Sequence, residues 1–328
     1  MSEKARKMLV TGAAGFIGSH LTELLLNKGF RVKAFVRYNS ANRWGWLEQM
    51  AAQPRLEVIA GDIRDYDSVY NAMCGCDEVF HLAALIGIPY SYVSPLAYIR
   101  TNIEGTYNVL ESAKQLNVRH VMVTSTSETY GSAQYVPINE SHPLTGQSPY
   151  SASKIGADQL AVSYYRSFKL PVKIARPFNT YGPRQSARAI IPTIIIQILT
   201  GIKEIELGSL TPTRDLSYVK DTVNGLWELA QYQGFFGEAV NIGTKTEISI
   251  GELFLLINKL LGTDTVAIQD SARMRPDNSE VTRLVCDNTK ITSKTAWRPK
   301  FDLESGLKET IHWFKSNMNF YKSDIYNL

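Results

Sequence analysis

Lys7-Met8-Leu9-Val10-Thr11-Gly12-Ala13-Ala14-Gly15-Phe16-Ile17-Gly18 is the stretch that decides the fold. The apolar run Met8–Thr11 reads as a strand, and Phe16–Lys28 as an amphipathic helix stopped by Gly29. Between them lie closely spaced glycines. Glycine lets the backbone turn tightly there and brings the first N–H groups of the helix against a pyrophosphate. Gly12, Gly15, Phe16, Ile17 and Gly18 are therefore the expected phosphate cradle of a dinucleotide.

The same alternation continues outward. Arg31–Val36, Leu56–Ala60 and Glu78–Leu82 read as strands two to four. A helix is expected near Leu96–Leu116, a fifth strand at His120–Thr124, a helix from about Tyr150 to Lys169, and a sixth strand at Val172–Arg176. Strands alternating with helices predict an α/β fold: a Rossmann-like, doubly wound parallel sheet with its phosphate-binding end at the first βα turn. Beyond Pro177 the alternation weakens, and prolines and glycines punctuate the chain at Pro183, Pro192, Gly201, Gly208 and Pro212. This predicts a smaller C-terminal α/β substrate lobe that returns to the sheet around Ala239–Gly243 and ends in the helices Ile250–Leu261 and Leu303–Lys315. The expected division is a dinucleotide-binding domain over 1–176, with a returning segment over 214–243, and a substrate lobe over 177–213 and 244–328.

Composition removes other classes. Of 328 residues, 44% are hydrophobic and 20% charged, enough for a sizeable core. The net charge of +4, from 35 basic and 31 acidic residues, is mild and dispersed, which argues against nucleic-acid or membrane-surface partners. The longest apolar stretch, Ala189–Leu199, is interrupted by Pro192 and is far shorter than the ~20 residues a membrane-spanning helix needs. The polar N-terminus does not read as a signal peptide, so a cytoplasmic location is expected. Cys74, Cys76 and Cys286 lack metal-ligand spacing, so no metal is expected.

An NAD site usually carries an acid about 20 residues after the glycines, on the ribose hydroxyls. Here the second strand ends in Arg37-Tyr38-Asn39-Ser40, without one. Arginine there can bind a 2′-phosphate, which favours NADP; Arg37 stacking on the adenine of NAD is the alternative. Asp62 and Ile63, after the third strand, are placed to frame the adenine.

Tyr150-Ser151-Ala152-Ser153-Lys154 puts a phenol and an ammonium at i and i+4, on one helix face. A nearby cation favours phenolate, so the pair is expected to lower the tyrosine pKa, letting it remove a proton from a hydroxyl as hydride leaves the same carbon.

With the glycine turn and Thr124-Ser125-Thr126 after the fifth strand, the chain resembles the extended short-chain dehydrogenase/reductase family. His81-Leu82-Ala83-Ala84, Asn102, Arg176-Pro177-Phe178-Asn179, Arg214-Asp215 and Asn241-Ile242-Gly243 carry the resemblance further along the chain. It implies that Leu82, Ala83, Ala84 and Asn102, with Tyr150 and Lys154, also contact the cofactor. It implies that Ser127, Asn179, Arg214, Asn241 and Arg275 contact a nucleotide sugar, and that the enzyme is a homodimer formed through the tyrosine helix, where Leu160, Ala161 and Tyr164 offer an apolar face.

Thr126-Ser127-Glu128 resembles the corresponding element of nucleotide-sugar 4,6-dehydratases, most closely the GDP-mannose type. Tyr38-Asn39-Ser40, Trp44-Gly45-Trp46-Leu47, the Ala84–Ser91 run and Pro183–Arg188 look like dehydratases of legionaminic-acid-type pathways, which act on a nucleotide-linked N-acetylglucosamine. The resemblance implies that Tyr150, supported by Thr126 and Lys154, deprotonates O4. Glu128 then takes the C5 proton as water leaves C6, and hydride returns to C6. UDP-glucuronate decarboxylases carry a similar Thr-Ser-Glu element, so decarboxylation is the first alternative, and epimerisation another.

Overall fold

The computed structural model describes residues 6–50, 52–274, 276 and 279–322. In chain order the elements are β1 (Lys7–Thr11), α1 (Phe16–Asn27), β2 (Arg31–Arg37), β3 (Leu56–Gly61), α2 (Tyr66–Met73), β4 (Glu78–His81), α3 (Ile88–Val93), α4 (Pro95–Tyr98), α5 (Gly105–Gln115), β5 (His120–Thr124), α6 (Pro149–Phe168) and β6 (Val172–Pro177). There follow β7 (Asn179–Tyr181), α7 (Ile190–Leu199), β8 (Glu204–Leu207), β9 (Thr213–Arg214), β10 (Leu216–Tyr218), α8 (Val219–Gln231), β11 (Ala239–Ile242), β12 (Ile248–Ser249), α9 (Ile250–Leu261), β13 (Val266–Gln269), β14 (Arg283–Leu284), α10 (Thr289–Lys294) and α11 (Leu303–Asn317).

Seven parallel strands form one sheet in the order β11-β6-β5-β4-β1-β2-β3. Successive side chains of a strand point to opposite faces, and here each face has its own apolar core. Met8, Val10, Ala34, Val36 and Phe80 pack with Leu21 and Leu25 of α1 and Leu226 of α8. Leu9, Phe35, Val79, Val121 and Val123 pack with Val69 of α2, Val109 of α5 and Ala161 of α6. This is the Rossmann-like architecture, wound on both faces. All seven strands being parallel, their C-terminal ends share one edge. The order reverses between β1 and β4, and ligands of such sheets bind at that switch point.

Two strand lysines are buried, and both close helix ends. Lys33 Nζ donates to the carbonyls of Ala72 and Cys74 beyond α2, and Lys173 Nζ to those of Leu229, Ala230 and Tyr232 beyond α8. Orphan carbonyls thereby gain charged donors.

One expectation is corrected. The single helix near Leu96–Leu116 is broken: α3 ends before Pro95, α4 is one turn, and a π-helical turn (Ile99–Glu104) precedes α5. Pro95 supplies no N–H to continue α3. In the π-helical turn, the Asn102 side chain is held by Leu85 from both its ends. On α6, Ala161 and Tyr164 are buried in the chain's own core, where Tyr164 donates to Glu111, and Leu160 is partly buried beside them. Trp46, after β2, packs on Trp313 of α11 and on Phe320.

Candidate active site

Thr11 ends β1, and the chain then turns through Gly12, whose φ is +71°. A Cβ on Gly12 would lie 2.8 Å from the Ala83 nitrogen, and one on Gly18 would lie 2.2 Å from the Gly12 carbonyl oxygen. These two glycines are therefore demanded by contact. Helix α1 starts at Phe16 with Gly15 as its N-cap, has no capping side chain, and has no acid in its first turn. Its first N–H groups keep their positive end for an anion. The cradle fits the pyrophosphate of a dinucleotide, the role expected of Gly12, Gly15, Phe16, Ile17 and Gly18.

The neighbouring strand ends place the other expected contacts on the same edge. Arg37 ends β2 and is exposed. Ile63 is buried just past β3. Asp62 also sits there, and Arg64 pairs with its carboxylate, with Nε 2.9 Å from Oδ1; the Arg64 hydrogen bonds keep its pKa below the usual range. Leu82, Ala83 and Ala84 follow β4 and are partly buried. Asn102, 1% exposed, does not face outward: its amide is shared among Leu85 and the Ser153 hydroxyl, 2.9 Å away. It braces the loop after β4 against α6.

Helix α6 begins with a capping box, Ser148 and Ser151 bonding each other's backbone, and with Pro149 in its first turn. This fixed start presents Tyr150, Lys154 and Asp158 along one inward stripe, all buried. The Thr126 hydroxyl, which accepts the Glu128 N–H at 3.2 Å, also bonds the Tyr150 phenol. Glu128 is partly buried and close enough for its charge to act on Tyr150. The four expected catalytic residues, Thr126, Glu128, Tyr150 and Lys154, thus meet at the ends of β5 and α6.

The expected acidification of Tyr150 is not a property of the chain alone. Burial pushes its pKa up; the bond from Thr126 opposes this, and the Glu128 charge adds to it. Lys154 points its Nζ at the Thr124 carbonyl, 2.7 Å away, and burial lowers its own pKa while Asp158 opposes that. The reason is geometric: i and i+4 share a face, but here the ammonium is anchored to β5.

Sequence reading missed Asp158, though it lies one turn beyond Lys154 on the same stripe. Its Oδ2 accepts from the Ser125 hydroxyl at 2.7 Å and from Arg176 Nη2 at 2.9 Å, and Arg176 Nη1 continues to the Tyr130 hydroxyl. The Tyr130 hydroxyl donates to Asn241 Oδ1 at 2.7 Å, and Asn241 Nδ2 donates to the Ile138 carbonyl at 3.0 Å. Asn241 is 0% exposed with both amide ends engaged, which corrects its assignment as a substrate contact. Breaking a buried ion pair of the Asp158–Arg176 kind costs about 3–5 kcal/mol, so this network stiffens the floor of the site.

On the substrate side, Ser127 is buried behind Glu128. Asn179, at the start of β7, keeps its Oδ1 buried with no hydrogen-bond partner among the described residues, as a ligand contact would. Arg214 is buried and pairs with Glu280 at 3.0 Å and with the Thr213 carbonyl. Its guanidinium is thus partly committed, contrary to a simple phosphate clamp. Arg275 lies outside the described residues.

The chain is similar to known proteins over nearly its whole length. It is 32% identical to dTDP-glucose 4,6-dehydratase of Streptomyces antibioticus, over 96% of this chain and 94% of that protein. It is 31% identical to UDP-glucuronic acid decarboxylase 1 of Xenopus tropicalis, over 99% of this chain and 76% of that one. The crystal structure of DesIV, a dTDP-glucose 4,6-dehydratase from Streptomyces venezuelae with NAD and TYD bound, superposes with a TM-score of 0.87 at 31% identity, covering 96% of this chain and 99% of that one. The family model described as GDP-mannose 4,6 dehydratase matches residues 9–310. The sheet from Leu9 onward, the glycine turn and the Tyr150 helix all lie inside that match, and the chain is an enzyme of the GDP-mannose 4,6 dehydratase family, among the extended short-chain dehydrogenase/reductases.

Proposed function

We propose that the protein is a nucleotide-sugar 4,6-dehydratase acting on a UDP- or GDP-linked N-acetylglucosamine, of the legionaminic-acid-pathway type. The observation that carries the reading is Glu128 beside Tyr150: a carboxylate next to the group that takes the O4 proton. Epimerisation needs no such base, whereas elimination across C5–C6 does. Tyr150 removes the O4 proton while Thr126 donates to its oxygen. Glu128 takes the C5 proton, made acidic by the C4 ketone, and passes a proton to the departing C6 hydroxyl; hydride then returns to C6 as C5 takes up a proton from the site. Lys154, charged and anchored on Thr124, orients the ribose side of the cofactor. When bound, the nicotinamide supplies reversible hydride acceptance, so the cycle has no net oxidation.

We assign the nucleotide sugar to the lobe of segments 177–213 and 244–328, with Asn179 and Arg214 as contacts of its diphosphate, a role the sequence resemblance also implies for Arg275. The protein works as a cytoplasmic homodimer; among the described residues no helix is long and apolar enough to cross a membrane. Decarboxylation of a nucleotide-linked uronic acid is the second reading, favoured by the decarboxylase relative. A panel of nucleotide sugars tests both: loss of one water supports dehydration, and release of carbon dioxide from UDP-glucuronate supports the alternative.

The cofactor is NAD or NADP. A solved relative carries NAD, while Arg37 at the end of β2 suits a 2′-phosphate. If Arg37 selects NADP, Arg37→Asp weakens NADP binding about tenfold or more, the worth of one charged hydrogen bond, and leaves NAD binding unchanged. Equal loss of both in a titration assigns Arg37 to the adenine instead.

A further inference from the structure

We propose that His81 is a positioning residue, held as the neutral Nε2–H tautomer, that fixes the glycine turn and the segment after β4 against the Tyr150 helix. The proposal rests on the reading that this edge of the sheet holds a nicotinamide dinucleotide.

Hydrogen-bond bookkeeping sets the tautomer. The Thr11 hydroxyl oxygen accepts the N–H groups of Leu82 and Ala83, each at 3.2 Å. Its own proton remains for His81 Nδ1, 2.8 Å away, so Nδ1 accepts. Neutral imidazole then carries its proton on Nε2, which donates to the Thr106 hydroxyl at 3.1 Å, and Thr106 donates to the Asn102 carbonyl at 2.6 Å. The reverse tautomer would give the Thr11 oxygen a third donor and turn the Thr106 hydroxyl away from the Asn102 carbonyl. A protonated ring would do the former too. Burial, and secondarily the charge of Lys154, push the His81 pKa down to about 3.

Every partner in this chain of bonds belongs to a segment that meets the site. Thr11 immediately precedes Gly12, and Gly12 lies so close to Ala83 that no side chain fits between them. Asn102 holds both backbone groups of Leu85 and reaches Ser153 on α6. Losing Nδ1 leaves the Thr11 hydroxyl proton without its acceptor, and losing Nε2 leaves the Thr106 hydroxyl without its donor, so the imidazole's link between the cradle and the π-helical turn is lost on one side or the other. His81 touches neither cofactor nor sugar by this account.

Two measurements test it. Long-range imidazole nitrogen NMR of the whole protein should show His81 as the Nε2–H tautomer, without titration between about pH 5 and 8, where an ordinary histidine changes charge. The Nδ1–H form, or titration in that window, overturns the proposal. His81→Phe keeps the ring volume and removes both nitrogens; it should lower kcat on the nucleotide sugar on the order of 10–100-fold and weaken dinucleotide binding, with KM for the sugar little changed. His81→Asn restores an acceptor near the Nδ1 position and should recover part of both. A Phe variant matching the wild type, or an Asn variant no better than Phe, overturns the proposal; should Phe fail to fold, Asn and the tautomer decide. A wild type that binds no dinucleotide instead overturns the parent reading.

Discussion

Tyr150→Phe should lower turnover about 10²–10⁴-fold, the usual worth of a positioned proton-transfer group, while nucleotide-sugar affinity stays close to that of the wild type. The variant removes one oxygen from a residue that is 7% exposed and leaves its ring packed edge-on to Tyr98. The fold should therefore survive, and circular dichroism and thermal melting should match the wild type. The pH dependence has a definite sign. Burial raises the Tyr150 pKa in the chain itself, so activity should rise with pH as the phenol becomes easier to ionise, until a second group intervenes. Thr126→Val removes the opposing hydrogen bond and should move that limb to higher pH. An unmoved limb would show that Thr126 does not act through the phenol.

Glu128→Gln should separate the two halves of the reaction. Amide and carboxylate have nearly the same shape, so the turn from Ser127 to Tyr130 and its bond to Thr126 should remain. Water loss should fall on the order of 10²–10⁴-fold, since an amide cannot take the C5 proton. Oxidation at C4 should persist, and the reduced cofactor should accumulate on the enzyme to one equivalent, visible by absorbance. Dehydration at the wild-type rate would remove Glu128 from this role. If loss of both half-reactions were seen instead, Glu128 would be acting through Tyr150, on whose ionisation its charge bears.

The features legible in the sequence were those set by local periodicity. The strand–glycine–helix start at 7–27, the succession of strands to β6, the return strand at 239–242 and the start of α6 all follow from spacing within a few residues. Tyr150 and Lys154 were placed on one helix face for the same reason. What the sequence concealed was what long-range partners decide. Asn241 reads as a ligand contact in Asn-Ile-Gly, yet Tyr130 and Ile138, more than a hundred residues earlier, consume its amide. Arg214 reads as a phosphate contact, and its pairing with Glu280, 66 residues on, is a further partner that the local sequence does not show. Lys154 shares a face with Tyr150, but the carbonyl of Thr124 takes its ammonium. The break at 88–115 was not read from the sequence: Pro95 starts a separate one-turn helix, and Asn102 of the π-helical turn is held by Leu85.

Fate of the hydrogen on C4 bears most directly on the whole account. Incubating the enzyme with a nucleotide-linked N-acetylglucosamine deuterated at C4, and locating the label by NMR, follows it through one active site. A product that has lost one water and carries the deuterium on C6, formed with only trace cofactor, is what Tyr150 and Glu128 acting on one hexose require. Deuterium recovered at C4 of an intact sugar, or released in stoichiometric reduced cofactor, would contradict it.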